Sequence, residues 1–127
     1  MYGHAEVVRT LLSAGANVNV QSKDGLSLLH VACQKGHKEV VRALLSAGAK
    51  VNVQAKDGVS PLYEACQKGH TEVVLALLSA GAGVNVQAED GVSPLHVACR
   101  EGHTEVVRAL LSAGAVVNED GVSPQHL

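Results

Sequence analysis

Large side chains are almost missing from this chain: there is no Trp and no Phe, and Tyr2 and Tyr63 are the only aromatic residues. A deep globular centre needs bulky groups to reach close packing. A core of Val, Leu and Ala must instead be thin and repeated. Charge is sparse too, at 17% of residues, with 10 basic against 12 acidic side chains and a formal charge of −2. That balance gives no electrostatic footprint for nucleic acid or an anionic membrane. No apolar run approaches the roughly 18 residues that a bilayer-spanning helix requires. Met1-Tyr2-Gly3-His4 has neither the basic nor the apolar region of a secretory leader, so none is expected. At 46% hydrophobic over 127 residues, the chain nevertheless has enough apolar material for one folded domain.

What the chain has in abundance is itself. Gly-His stands at Gly3-His4, Gly36-His37, Gly69-His70 and Gly102-His103, a step of 33 each time. Ala-Gly follows the same step at Ala14, Ala47, Ala80 and Ala113. Residues Gly3–Lys35 and Gly36–Lys68 differ at 8 of 33 positions, as do Gly36–Lys68 and Gly69–Glu101. A period in this range marks a stacked-repeat architecture.

Punctuation inside one unit fixes its elements. Asp57-Gly58 is a tight-turn pair, because Gly accepts positive φ without steric conflict. Ser60 before Pro61 reads as an N-cap and first helical residue. The helix so begun ends at Gly69, where a left-handed residue closes it. A second helix opens at His70-Thr71-Glu72, with Glu72 against its positive end. Val73, Val74, Leu77 and Leu78 give that helix an apolar face. One such pair cannot bury its own stripe, so units must stack.

These residues resemble the ankyrin repeat. The likeness rests on the period, on Ser93-Pro94-Leu95-His96-Val97-Ala98, on Gly102-His103-Thr104-Glu105-Val106-Val107 and on Leu110-Leu111-Ser112-Ala113-Gly114-Ala115. The resemblance implies an all-α solenoid of antiparallel helix pairs with projecting β-turn or hairpin loops, binding proteins through a concave face of turn tips and first helices. It implies no catalysis. We expect a single domain over 1–127: a partial repeat at 1–23 carrying only a second helix, complete repeats at 24–56, 57–89 and 90–119, and a stub at 120–127. The family's usual Asp before the turn is replaced by Ser22, Ala55 and Ala88. Ala55 and Ala88 cannot supply its hairpin-ordering bond. Leu28 replaces the Pro that opens the other first helices.

Two chemical readings are set aside. Cys33, Cys66 and Cys99 fall on successive units about 8–10 Å apart, beyond the ~7 Å reach of a disulfide. They read as small buried thiols of an intracellular, most simply cytoplasmic, protein. His30 with Cys33, and His96 with Cys99, have ligand spacing, but two ligands per unit fall short of a structural zinc site. A ring-to-turn hydrogen bond, as the resemblance implies, accounts for these histidines. Every recurring polar residue has a structural task, so no cofactor, metal or nucleophile is expected.

Under the resemblance the binding face comprises Lys23, Asp24, Leu26 and Lys35 in the first complete unit. The second adds Lys56, Asp57, Val59, Tyr63, Glu64, Gln67 and Lys68, and the third Glu89, Asp90, Val92, Arg100 and Glu101. The face changes little between units, which fits a repetitive partner, a recent duplication or an idealised, engineered scaffold. Tyr63-Glu64, in place of His-Val, is its sharpest exception. Tyr is enriched at interface hot spots, and Leu26, Val59 and Val92 would extend an apolar row if exposed. Local repacking is the competing account of Tyr63. The expected partner is a protein of unknown identity, not nucleic acid or membrane. The alternative is a structural segment whose apolar, uncapped ends associate head to tail, the 120–127 stub of one molecule meeting the lone helix of another.

Overall fold

A computed structural model describes residues 2–15 and 17–115. Seven helices are found among the described residues: α1 (Tyr2–Ser13), α2 (Leu28–Lys35), α3 (Lys38–Ser46), α4 (Pro61–Lys68), α5 (Thr71–Ser79), α6 (Pro94–Arg100) and α7 (Thr104–Ser112). Their packing forms two layers. The first helices stack as α2 on α4 on α6, and the second helices as α1 on α3 on α5 on α7, while α2–α3, α4–α5 and α6–α7 pair within units.

Each first helix starts where a serine can satisfy an end N–H. Ser27, Ser60 and Ser93 are extended, and their side chains accept from the backbone of His30, Tyr63 and His96. Leu28 therefore begins α2 without Pro, because the Ser27 cap with His30 returning to the Ser27 N–H completes a capping box. Gly36 ends α2 at φ 74°, a left-handed turn that L side chains resist. A Cβ there would also come within 2.7 Å of the His70 ring.

Between the layers lie Leu29, Leu62 and Leu95 from the first helices, with Val41, Leu44, Val74, Leu77 and Leu110 from the second. Each such side chain contributes roughly 1.5–3 kcal/mol by leaving water. No side chain in this core is larger than Tyr63.

Different side chains order the turns. In the first, Ser22 Oγ accepts from the Leu26 N–H at 3.2 Å. Where Ala55 and Ala88 stand instead, the turn Asp itself serves: Asp57 Oδ1 accepts from Val59 N–H at 3.2 Å and Asp90 Oδ1 from Val92 N–H at 3.0 Å. Asp carries its acceptor two residues upstream of the donor, as an Asx-turn does. The hairpins are ordered without the family's Asp. The 120–127 stub, and with it half of the head-to-tail contact, lies outside the described residues.

Candidate functional site: a groove between turns

Adjacent turns are tied through their backbones, Lys56 N–H to Asp24 O and Glu89 N–H to Asp57 O, both at 2.8 Å. Beneath them the first helices add a second tie. The buried His30 ring accepts the Ser27 N–H on Nδ1 at 3.0 Å and donates from Nε2 to Val59 O at 2.8 Å. One neutral tautomer satisfies both bonds. Burial pushes the His30 pKa below its ordinary value, outweighing the upward pull of the Val59 carbonyl and Asp57. The ring thus locks the first helix of one unit to the turn of the next.

Tyr63 occupies the same place one unit on, and its ring has no nitrogen for that bond. Ser60 still caps α4 through the Tyr63 N–H at 3.2 Å. Between the second and third turns lies a groove of about 550 Å³, lined by Asp57, Val59, Tyr63, Glu64, Gln67, Ala88, Glu89 and Asp90. Seven of these eight wall residues, all but Ala88, stand among the expected binding positions. Glu64 is half-buried, and its carboxyl is pushed above the usual range, first by burial and next by the Asp57 charge, with Lys68 opposing. A neighbouring groove of about 480 Å³ gathers Gln87, Asp90, Gly91, Val92, His96 and Arg100.

Other expected positions fall elsewhere. Lys23, Asp24, Leu26, Lys56 and Lys68 line none of these grooves, and Glu101 lies 3.8 Å from its neighbour Arg100. Lys35 joins Val8, Leu28, Val31, Ala32, His37, Val40 and Leu44 around a third, largely apolar groove of about 380 Å³ on the outer flank of α2. The apolar row is corrected: Val59 is buried, and Leu26 and Val92 are half-buried, because each turn folds over its own helix. Tyr63 is itself only 8% exposed, so it forms a floor and not a protruding contact.

The cysteines are corrected in one place. Cys33 and Cys66 are buried, and burial pushes both thiols up, Cys66 to about 12, so neither is a nucleophile near neutral pH. Cys99 is exposed, since no described helix packs beyond α6.

Sequence reasoning passed over the asparagines. Asn19 Oδ1 accepts from Lys50 N–H at 2.8 Å while its Nδ2 donates to Gly48 O at 3.3 Å. Asn52 repeats this on Gly83 and Gly81 at 2.7 and 3.5 Å. Their signal was the period itself, Asn19 and Asn52 standing one unit apart. His70 and His103 likewise donate from Nε2 to Gln34 O and Gln67 O, each at 3.0 Å, in the preceding unit.

Helix pairs in two layers, joined by turns that bond unit to unit, define a stacked-repeat protein. A family model described as Ankyrin repeats (3 copies) matches residues 1–88, and one described as Ankyrin repeat matches 90–121. The chain belongs to the ankyrin-repeat family, and its fold is an all-α ankyrin solenoid. Such repeats are generally non-catalytic modules of protein–protein interaction. Among the described residues, no helix is long and apolar enough to cross a membrane.

Proposed function

We propose that this chain is a non-catalytic recognition module that binds a protein partner through the concave face of turns and first helices, centred on Tyr63 and Glu64. The observation that carries this reading is the groove lined by Tyr63 and Glu64, the residues at which the sequence departs from its repeat. A stiff stack offers a preformed surface, which keeps the entropy of ordering low. The complete units 24–56, 57–89 and 90–119, flanked by the partial ones, form the single domain of this proposal. Buried free thiols suit a reducing compartment, and we place the protein inside the cell.

The test replaces Tyr63→His and Glu64→Val together, restoring the sequence of the other units. Capture of partners from a defined protein array should fall sharply. Equal capture by both forms would remove the residue-level basis of the proposal.

One observation favours a second reading, association of copies end to end. The flank of α2 exposes Leu28 and Val31, each 45% accessible, beside Val8 and Val40. In the interior of the stack that flank is covered by a neighbouring first helix, as α2 covers α4. Light scattering over a wide concentration range tests it: a rising mass that Val31→Glu abolishes supports association, and a constant mass near 13 kDa removes it.

A further inference from the structure

Resting on the reading of the concave face as a recognition surface, we infer that the groove over Tyr63 receives a cationic side chain, Arg or Lys, of the bound protein. Asp57, Glu64, Glu89 and Asp90 all line it, and it has no basic wall residue. None of these four carboxylates is in an ion pair among the described residues, although exposed pairs such as Arg108–Glu105 at 2.9 Å form elsewhere. Asp57 and Asp90 spend one oxygen each on their own turns, which fixes them in place.

The floor points the same way independently. Tyr63 is more than nine-tenths buried, yet its hydroxyl makes no hydrogen bond within the described protein. No polar side-chain atom sealed from solvent lacks a partner among the described residues, so the hydroxyl is open to solvent, and Tyr63 lines this groove. It offers a donor and an acceptor that no protein group uses. A guanidinium or ammonium group supplies donors to it and opposite charge to the walls.

A bare metal ion fits less well. No group of three or more His, Cys, Asp or Glu among the described residues is placed to hold one. The carboxylates are spread around an open groove, which suits a group carried on a side chain with several directed donors. The Tyr63 ring, part of the lining, adds aromatic surface of the kind that attracts a cation. Ionisation of Glu64 is opposed first by burial and next by Asp57, with Lys68 favouring it, and a further positive charge in the groove favours its carboxylate.

The probe is N-acetyl-arginine amide, whose single charge is the guanidinium, titrated into the intact chain by NMR. N-acetyl-citrulline amide is its neutral counterpart of matching shape. Expected are saturable shifts at Tyr63, Glu64, Gln67 and Glu89, absent with citrulline at the same concentrations. They should weaken at least tenfold in a Glu64→Gln, Glu89→Gln chain, and several-fold in Tyr63→Phe. Equal response to both amides, or shifts that follow surface acids such as Glu39 and Glu105, would overturn the inference without any variant needing to fold.

A displayed random-peptide library separates this failure from that of the concave face. Enrichment of Arg or Lys that the double Gln chain loses supports the inference. Enrichment without a cation, but abolished by Tyr63→His with Glu64→Val, overturns it and leaves the face a recognition surface. Selection that neither substitution changes overturns both.

Discussion

The first and second complete units meet the next unit in different ways, although their sequences are nearly the same. At the first junction the buried His30 ring closes the space between helix and turn, bonding Val59 O at 2.8 Å. At the second, Tyr63 takes the position, the ring-to-carbonyl bond is gone, and a groove of about 550 Å³ lies there. The turn-to-turn backbone bond is 2.8 Å at both. The apolar core is likewise the same, with Leu44 and Leu77 fully buried. The Tyr63-Glu64 exchange thus removes one tie between units at the place where a groove lined by both residues lies. The stack tolerates it because the neighbouring ties remain.

The largest effect should be blind to this difference. Leu44→Ala and Leu77→Ala should each destabilise by about 2–5 kcal/mol, the usual result of emptying a packed Leu site. Urea denaturation giving clearly unequal losses would mean the junctions differ in their cores too. His30→Tyr comes next, since it copies the second junction into the first. Val59 O keeps the Ala55 N–H at 2.9 Å, but losing the ring bond to it and the Nδ1 acceptor of the buried Ser27 N–H should remove about 1–3 kcal/mol.

A pH series sharpens the contrast. His30 is neutral when buried, so its folded pKa lies below the ordinary value near 6.5. The unfolded chain then binds the proton more readily. Stability from this group is complete above about pH 6.5 and is lost as pH falls from there toward the folded pKa. The His30→Tyr chain should lack that part of the acid loss. Smallest is the gain from Tyr63→His with Glu64→Val, about 0.5–1.5 kcal/mol from the restored bond. Chemical denaturation should show it as a higher midpoint, alongside loss of the groove.

Much of this was legible in the sequence because each repeat repeats its own reasons. Ser60 before Pro61, Gly69 after Lys68 and the Val73–Leu77 stripe each specify a local geometry by themselves. The period then makes the stack unavoidable. Tyr63-Glu64 was visible as the place where the period fails. What the sequence did not convey was direction and depth. Exposure of Val59 depends on how the Asp57-Gly58 turn folds back over α4, which no single residue states. Asn19 and Asn52 were hidden for a different reason: their partners are backbone groups, which have no letter. Cys99 reads like Cys33 and Cys66, and only its position beside an uncovered flank sets it apart.

Every side-chain hydrogen bond between units among the described residues joins positions 29 to 36 apart, about one repeat. None ties the first unit to the third. Loop closure is therefore paid in equal short instalments, and order can begin in any unit and spread to its neighbours. Pulled from its two ends, such a chain would yield unit by unit, like a zip fastener, with a tooth of different shape at Tyr63.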